Sequence, residues 1–178
     1  IALWDGLYGL GYKGFNPVSV DAGEVALEYG ITREDQDRWA HQSQMKYTKA
    51  FAEGKFKVGE ELMRVEIPQR KGPPIILEKD EFPKPDTTLE KLSKLPLVYG
   101  SPTVTAGNAP GLDTGASAIL IMTEKKAREK GLKPLAKILS MVANATTPRL
   151  IAAIPGFNIQ KALEKAQITL DQIDLIEV

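Results

Sequence analysis

Residues 103–122 read TVTAGNAPGLDTGASAILIM, a run of small side chains with three glycines that leads into a continuous apolar stretch. Glycine-rich turns can cradle a phosphate by exposing main-chain N–H groups. This run, however, matches neither Gly-x-Gly-x-x-Gly nor Gly-x-x-x-x-Gly-Lys, and it leads toward a strand rather than a helix N-terminus. Small side chains also let the main chain come close to a ligand or to a neighbouring strand. Either need would select Ala106, Gly107, Ala109 and Gly111, and the residues by themselves leave the two open. The following ASAILIMT lacks polar alternation, as in a strand buried on both faces of a sheet.

Working outward, EKKAREKG predicts a polar helix with a glycine stop, KPLAKILSMVANA a strand, PGFNIQKALEKAQ a helix and IDLIEV a strand. Strands alternating with helices imply an α/β fold with parallel strands and right-handed crossovers. Upstream, DAGEVALEYG spaces Ala22, Val25, Ala26 and Tyr29 for a short helix that ends at Gly30. A longer helix follows from Thr32, with Asp35 three residues on as an approximate capping box. Its buried side is expected to include Trp39, Ala40, Met45 or Tyr47, Ala50 and Phe51, and Gly54 ends it. ELMRVEIP predicts a short strand, residues 69–85 a charged, proline-rich surface excursion with a further short strand at PIILE, and Thr88 caps a brief helix, TLEKLSKL. The glycine-rich, aromatic opening IALWDGLYGLGYKG fits neither periodicity and reads as a helix end running into a loop.

The 178 residues are 43% hydrophobic and 26% charged, ordinary for a soluble globular protein with one substantial core or two small ones. Twenty-three basic residues balance twenty-three acidic ones, so no net field recruits nucleic acid or an anionic membrane. No apolar run approaches the roughly 20 residues of a membrane span, and the opening lacks the pattern of a signal peptide. A cytoplasmic location is the expectation. Cysteine is absent, which removes disulfides, thiolate metal sites and thiol nucleophiles from this polypeptide. His41, the one histidine, is flanked by WA and QSQ and reads as a surface or packing residue rather than an acid/base group. Asp80 and Glu81 point to opposite sides of an extended segment, and the lysines of EKKAREK and KALEKA read as wet helix faces. Val178 falls inside what reads as a buried strand, so a piece of something larger, or one half of an assembly, is expected.

The combination of blocks resembles the thiolases. Members typically carry Thr-Val-Thr-Ala-Gly-Asn-(Ala/Ser)-Ser-Gly and Asp-Gly-Ala-Ala where residues 103–118 stand, then an apolar strand, a helix and Lys-Pro-Leu-Ala-(Arg/Lys)-Ile. ITREDQDRWAHQSQ, GKFKVGEELMRVEI and DEFPKPDTTLEKLSKL resemble further family segments, so the likeness covers nearly the whole chain.

The resemblance implies a thiolase-like α/β fold in which a loop domain is joined to parts of two α/β/α/β/α domains, with an incomplete sheet. Residues 1–111 would be most of the loop domain, residues 112–131 the end of the N-terminal domain and residues 132–178 the start of the C-terminal one. The implied chemistry is thiolysis of 3-ketoacyl-CoA or the reverse condensation, within lipid metabolism. The family's nucleophilic cysteine lies upstream of this segment; its Asn-Glu-Ala-Phe loop, Gly-His-Pro histidine and second cysteine lie downstream. The segment alone is then expected to be inert, with no catalytic residue, no metal and no covalently bound cofactor. Coenzyme A thioester is the implied substrate. Contacts to it carry over to Ala106 and Leu112 at the pantetheine channel, to Tyr99 for a usual phenylalanine, and to Lys84 near the nucleotide end. Two departures also fall near the ligand: Pro110 replaces a serine hydroxyl, and Lys91 stands where some members have serine. The implied partners are acyl-CoA and the remainder of the thiolase or a partner subunit, in a parent that is a homo-oligomer. The other reading is a non-catalytic, thiolase-like CoA-binding or scaffold subunit acting with a partner chain.

Overall fold

Thr32 opens the longest helix with two reciprocal hydrogen bonds. Its hydroxyl accepts the Asp35 main-chain N–H at 3.2 Å, and the Asp35 carboxylate accepts the Thr32 N–H at 2.9 Å. That closed box fixes the start of α2, Arg33–Ala52, where the sequence placed it. Gly54, at φ 68°, closes the other end. The Lys55 N–H reaches the Ala50 carbonyl at 3.0 Å and the Gly54 N–H reaches the Phe51 carbonyl at 3.1 Å, the paired reach-back that satisfies otherwise orphaned helix carbonyls. The computed structural model describes residues 16–111 and 115–178. The expectations for residues 1–15 and for Leu112 lie outside the described residues.

The chain divides into two compact units, residues 26–111 and residues 1–25 with 112–178. The boundary falls inside α1, Val18–Glu28. In the unit of residues 26–111, α2 packs against α3, Leu89–Ser93. Thr88 caps α3 by accepting the Lys91 N–H at 3.2 Å. Two short strands, β1 (Val65–Ile67) and β2 (Ile75–Leu77), pair antiparallel with Glu66 opposite Ile76. The Arg64–Glu78 ion pair, 2.8 Å, flanks that hairpin. At the end of α2, Tyr47, Phe51 and Phe56 form an aromatic cluster with ring centroids 5.2–6.4 Å apart.

The inner side of α2 carries Ala40, Tyr47 and Phe51, as expected, but it also takes in Asp37 and leaves Trp39 out. Trp39, expected inside, is 75% exposed, while Asp37 is 4% exposed. Positions 33, 37, 40, 44, 47 and 51 share one side at helical spacing. Arg33, Asp37 and Gln44 are the polar members of that side, and hydrophobic periodicity could not mark them.

In the other unit, α4 (Glu124–Glu129) is capped by Thr123 and stopped by Gly131 at φ 65°. α5, Ile154–Ala166, runs beside residues 138–143. Ser140 Oγ donates to the Ala162 carbonyl at 2.9 Å, and Lys165 Nζ donates to the Met141 carbonyl at 2.8 Å. The three strands expected here are not formed. ASAILIM, KPLAKILSMVANA and IDLIEV make no strand pairs among the described residues, and the 3-10 turn Leu170–Gln172 ends just before IDLIEV. Ile119, Leu120, Leu135 and Leu175 are each more than 80% exposed. A strand requires a neighbour for its main-chain groups, and no described segment supplies one. The expected parallel crossovers are therefore also absent from the described residues, whose two paired strands are antiparallel.

Candidate functional site

Residues 97–108 fold into a tight hairpin and loop within the unit of residues 26–111. Leu97 bridges Thr105 in antiparallel fashion, and the Val98 N–H donates to the Val104 carbonyl at 3.0 Å. The turn is closed by the Ser101 N–H donating to the Val98 carbonyl at 2.9 Å. Its two central residues, Tyr99 (φ 51°) and Gly100 (φ 78°), both take the positive φ of the mirror-image turn that favours Asn-Gly. Tyr99 thus holds a costly backbone conformation, and its ring is 80% exposed.

Beyond that turn the main chain is gripped by polar side chains. Ser101, Thr103 and Thr105 are all at most 2% exposed. Ser101 Oγ accepts the Val104 N–H at 3.0 Å, and Thr105 Oγ1 accepts the Gly107 N–H at 3.2 Å. Asn108 uses both ends of its carboxamide. Its oxygen accepts the Thr105 N–H at 2.8 Å, while its nitrogen donates to the Thr103 carbonyl at 3.2 Å and to Asp37 Oδ1 at 3.0 Å. Asp37 Oδ2 in turn accepts from Arg33 Nε at 2.8 Å. Arg33 Nη2 continues to the Leu92 carbonyl at 2.7 Å and the Leu95 carbonyl at 3.4 Å, placing its positive charge on the carbonyl end of α3.

At Gly107 the reason for a small residue is close packing. A Cβ there would lie 2.5 Å from Leu92 Cδ2 and 2.5 Å from Leu95 Cδ1. Its neighbour Ala106 is exposed, as is Pro110. The loop therefore rests one residue on α3 and presents the next outward.

Lys84 and Lys91 are both exposed, and Lys91 forms an ion pair with the Asp86 carboxylate. Lys91 Nζ donates to Asp86 Oδ2 at 2.7 Å and to the Asp86 carbonyl at 2.8 Å. The Lys91 hydrogen bond to the carboxylate, then the Lys91 charge, the main-chain N–H of Asp86 and, least, the Lys84 charge hold the Asp86 carboxyl below its ordinary range. The Lys84 N–H donates to Gln44 Oε1 at 2.7 Å, which ties this segment to α2. Five of the six ligand-contact residues inferred from sequence, Lys84, Lys91, Tyr99, Ala106 and Pro110, thus lie within the unit of residues 26–111, and Leu112 is outside the described residues. Sequence reasoning missed Arg33, Asp37 and Asn108. The available signal was the i, i+4 spacing of Arg33 and Asp37 on a helix whose N-terminal turn is already acidic.

The sequence profile of the thiolase N-terminal domain matches residues 3–125. A beta-ketoadipyl-CoA thiolase of Acinetobacter baylyi is 42% identical over 166 residues, covering 93% of this chain and 41% of that protein. An acetyl-CoA acetyltransferase of Allochromatium vinosum is 43% identical over 157 residues, covering 88% of this chain and 39% of that protein. Among solved structures, the acetyl-CoA acetyltransferase of Bacillus anthracis superposes with a TM-score of 0.84 at 35% identity, covering 92% of this chain and 41% of that one. Human mitochondrial 3-ketoacyl-CoA thiolase in complex with CoA gives 0.79 at 35% identity, covering 89% of this chain and 39% of that one. The chain thus spans about 41% of the length of the curated relatives it matches.

Proposed function

Because the chain belongs to the thiolase family and has its fold, we propose that it forms the coenzyme A-binding cover of a thiolase-type acyltransferase and carries no reacting group of its own. The observation that carries this reading is the outward loop at Ala106. Side-chain hydrogen bonds from Asn108 and Thr105 hold its main chain, and the strained, exposed Tyr99 tips the adjoining turn. A narrow pantetheine arm needs a wall without bulky side chains, and an aromatic ring beside it supplies apolar contact. Lys84 and Lys91 stand as cations for the phosphates at the nucleotide end. Leu112 is proposed to continue the channel, and Pro110 offers its ring where a hydroxyl is usual. Residues 1–111 serve as most of the loop domain, 112–131 as the end of the N-terminal domain and 132–178 as the beginning of the C-terminal one.

The substrate proposed is an acyl-CoA thioester, and the reaction of the whole protein is thiolysis of 3-ketoacyl-CoA or its reverse. The unpaired apolar segments support further polypeptide covering residues 116–122 and 132–143, whether the rest of the thiolase or a partner subunit. Burying such side chains is worth about 1.5–3 kcal/mol each. Among the described residues no helix is long and apolar enough to cross a membrane.

Calorimetric titration of the complete gene product with CoA tests the binding claim, and saturable one-to-one binding is expected. The polypeptide of residues 1–178 alone should give no thiolysis of acetoacetyl-CoA. Turnover by that polypeptide in a contaminant-free preparation would overturn the assignment of a cover without reacting groups.

A further inference from the structure

We propose that Asn108 is a positioning residue for coenzyme A: anchored by the buried Asp37, its carboxamide sets the main chain of residues 105–107 and so presents Ala106 to the pantetheine arm. The inference rests on the functional reading above. Its starting point is that the loop cannot hold itself by packing. Ala106, Gly107, Ala109 and Gly111 offer little apolar area, and Gly107 contributes only the space that Leu92 and Leu95 fill. A flexible loop would have to be ordered each time a ligand bound, at the expense of affinity.

The polar relay supplies the missing rigidity. Asn108 joins three points of the loop and helix at once, the Thr105 N–H, the Thr103 carbonyl and Asp37 Oδ1. Meeting all three takes a side chain with an acceptor and two donors at this reach. Aspartate keeps the acceptor but has no donor, and a hydroxyl group offers a single hydrogen. Asp37 is 4% exposed and is itself oriented by Arg33, which is fastened to the carbonyl end of α3. The setting of the loop is thereby referred to both helices.

The test is a residue swap in the complete gene product. Asn108→Asp keeps the size and the acceptor for the Thr105 N–H but turns an oxygen toward Asp37 Oδ1. CoA affinity is expected to fall about tenfold or more, with faster amide exchange at Thr105 and Gly107. Adding Asp37→Asn returns a donor across the contact with residue 37, though not to the Thr103 carbonyl, so affinity should recover in part, by about threefold or more over the single variant. Unchanged CoA affinity in Asn108→Asp, or a double variant no better than the single one, overturns the proposal. If the single variant does not fold, the double variant decides: folding with saturable CoA binding supports the proposal, and no binding overturns it. If the unsubstituted protein does not bind CoA, the functional reading falls and exchange at Thr105 decides the latch. Faster exchange in the single variant with restoration in the double supports it, and unchanged exchange overturns it.

Discussion

Asn108 Nδ2 lies 3.0 Å from Asp37 Oδ1, a contact made across 71 residues of chain. Neither residue stands out alone, since asparagine suits a turn and acidic residues are common near a helix N-terminus. Together they join the loop of small residues to α2, and through Arg33 to the end of α3. Four predictions concern the residues around this junction.

Gly107→Ala should destabilise the protein by about 1 kcal/mol, less than the extreme of overpacking because the obstructing atoms are the tips of Leu92 and Leu95. Reduced freedom of the unfolded chain returns roughly 0.4–1 kcal/mol of the steric cost. Combining it with Leu95→Val should recover part of the loss. Urea unfolding measures both, and full additivity of the two losses would contradict the packing reason.

Tyr99→Asn should raise stability by about 1 kcal/mol, because asparagine accepts the positive φ that tyrosine resists at the turn's first central position. The same change removes the exposed ring and should weaken CoA binding several-fold. Thermal unfolding and calorimetry on one preparation show whether stability rises while affinity falls. A parallel rise in both would remove Tyr99 from the site.

Asp86→Asn should strengthen CoA binding by about threefold at low salt, with the gain shrinking as salt screens the lysines. The change releases Lys91 from its carboxylate and unmasks Lys84. Acidification is no substitute for the mutation, because the Asp86 carboxyl already ionises below its ordinary 3.8. Equal affinity in both proteins at low salt would place the phosphates elsewhere.

The start of α2 should loosen in acid. Hydrogen bonds from the Thr32 hydroxyl and then the Thr32 N–H hold the Asp35 carboxyl below its ordinary 3.8. A depressed folded value means the stabilisation is complete above that range and is lost as pH falls through the lower, folded value. Amide exchange at the first turn of α2 should therefore rise below about pH 3.8 in the unsubstituted protein. Thr32→Ala should cost about 1 kcal/mol at neutral pH and flatten this acid response. An unchanged acid response in that variant would contradict the capping role.

The sequence made local structure legible and tertiary structure much less so. Thr32 and Thr88 each cap the helix that follows, because a cap is settled within four residues of chain. The short strands β1 and β2 were likewise readable, being near neighbours joined by a proline-rich turn. ASAILIM was read as a paired, buried strand, yet pairing depends on a distant partner, and Ile119 is 83% exposed. Trp39 was placed inside because hydrophobicity was the available guide, whereas the buried face of α2 begins with Arg33 and Asp37. For the site, resemblance supplied Lys84, Lys91, Tyr99, Ala106 and Pro110. The residues that hold that loop in place emerged from hydrogen bonds no periodicity encodes.

The most direct measurement is amide hydrogen exchange of the complete gene product, resolved to single residues, with and without saturating CoA. The account predicts added protection at residues 105–107 and at Tyr99, with the β1–β2 hairpin unchanged. Saturable CoA binding that leaves residues 105–107 unprotected would contradict it.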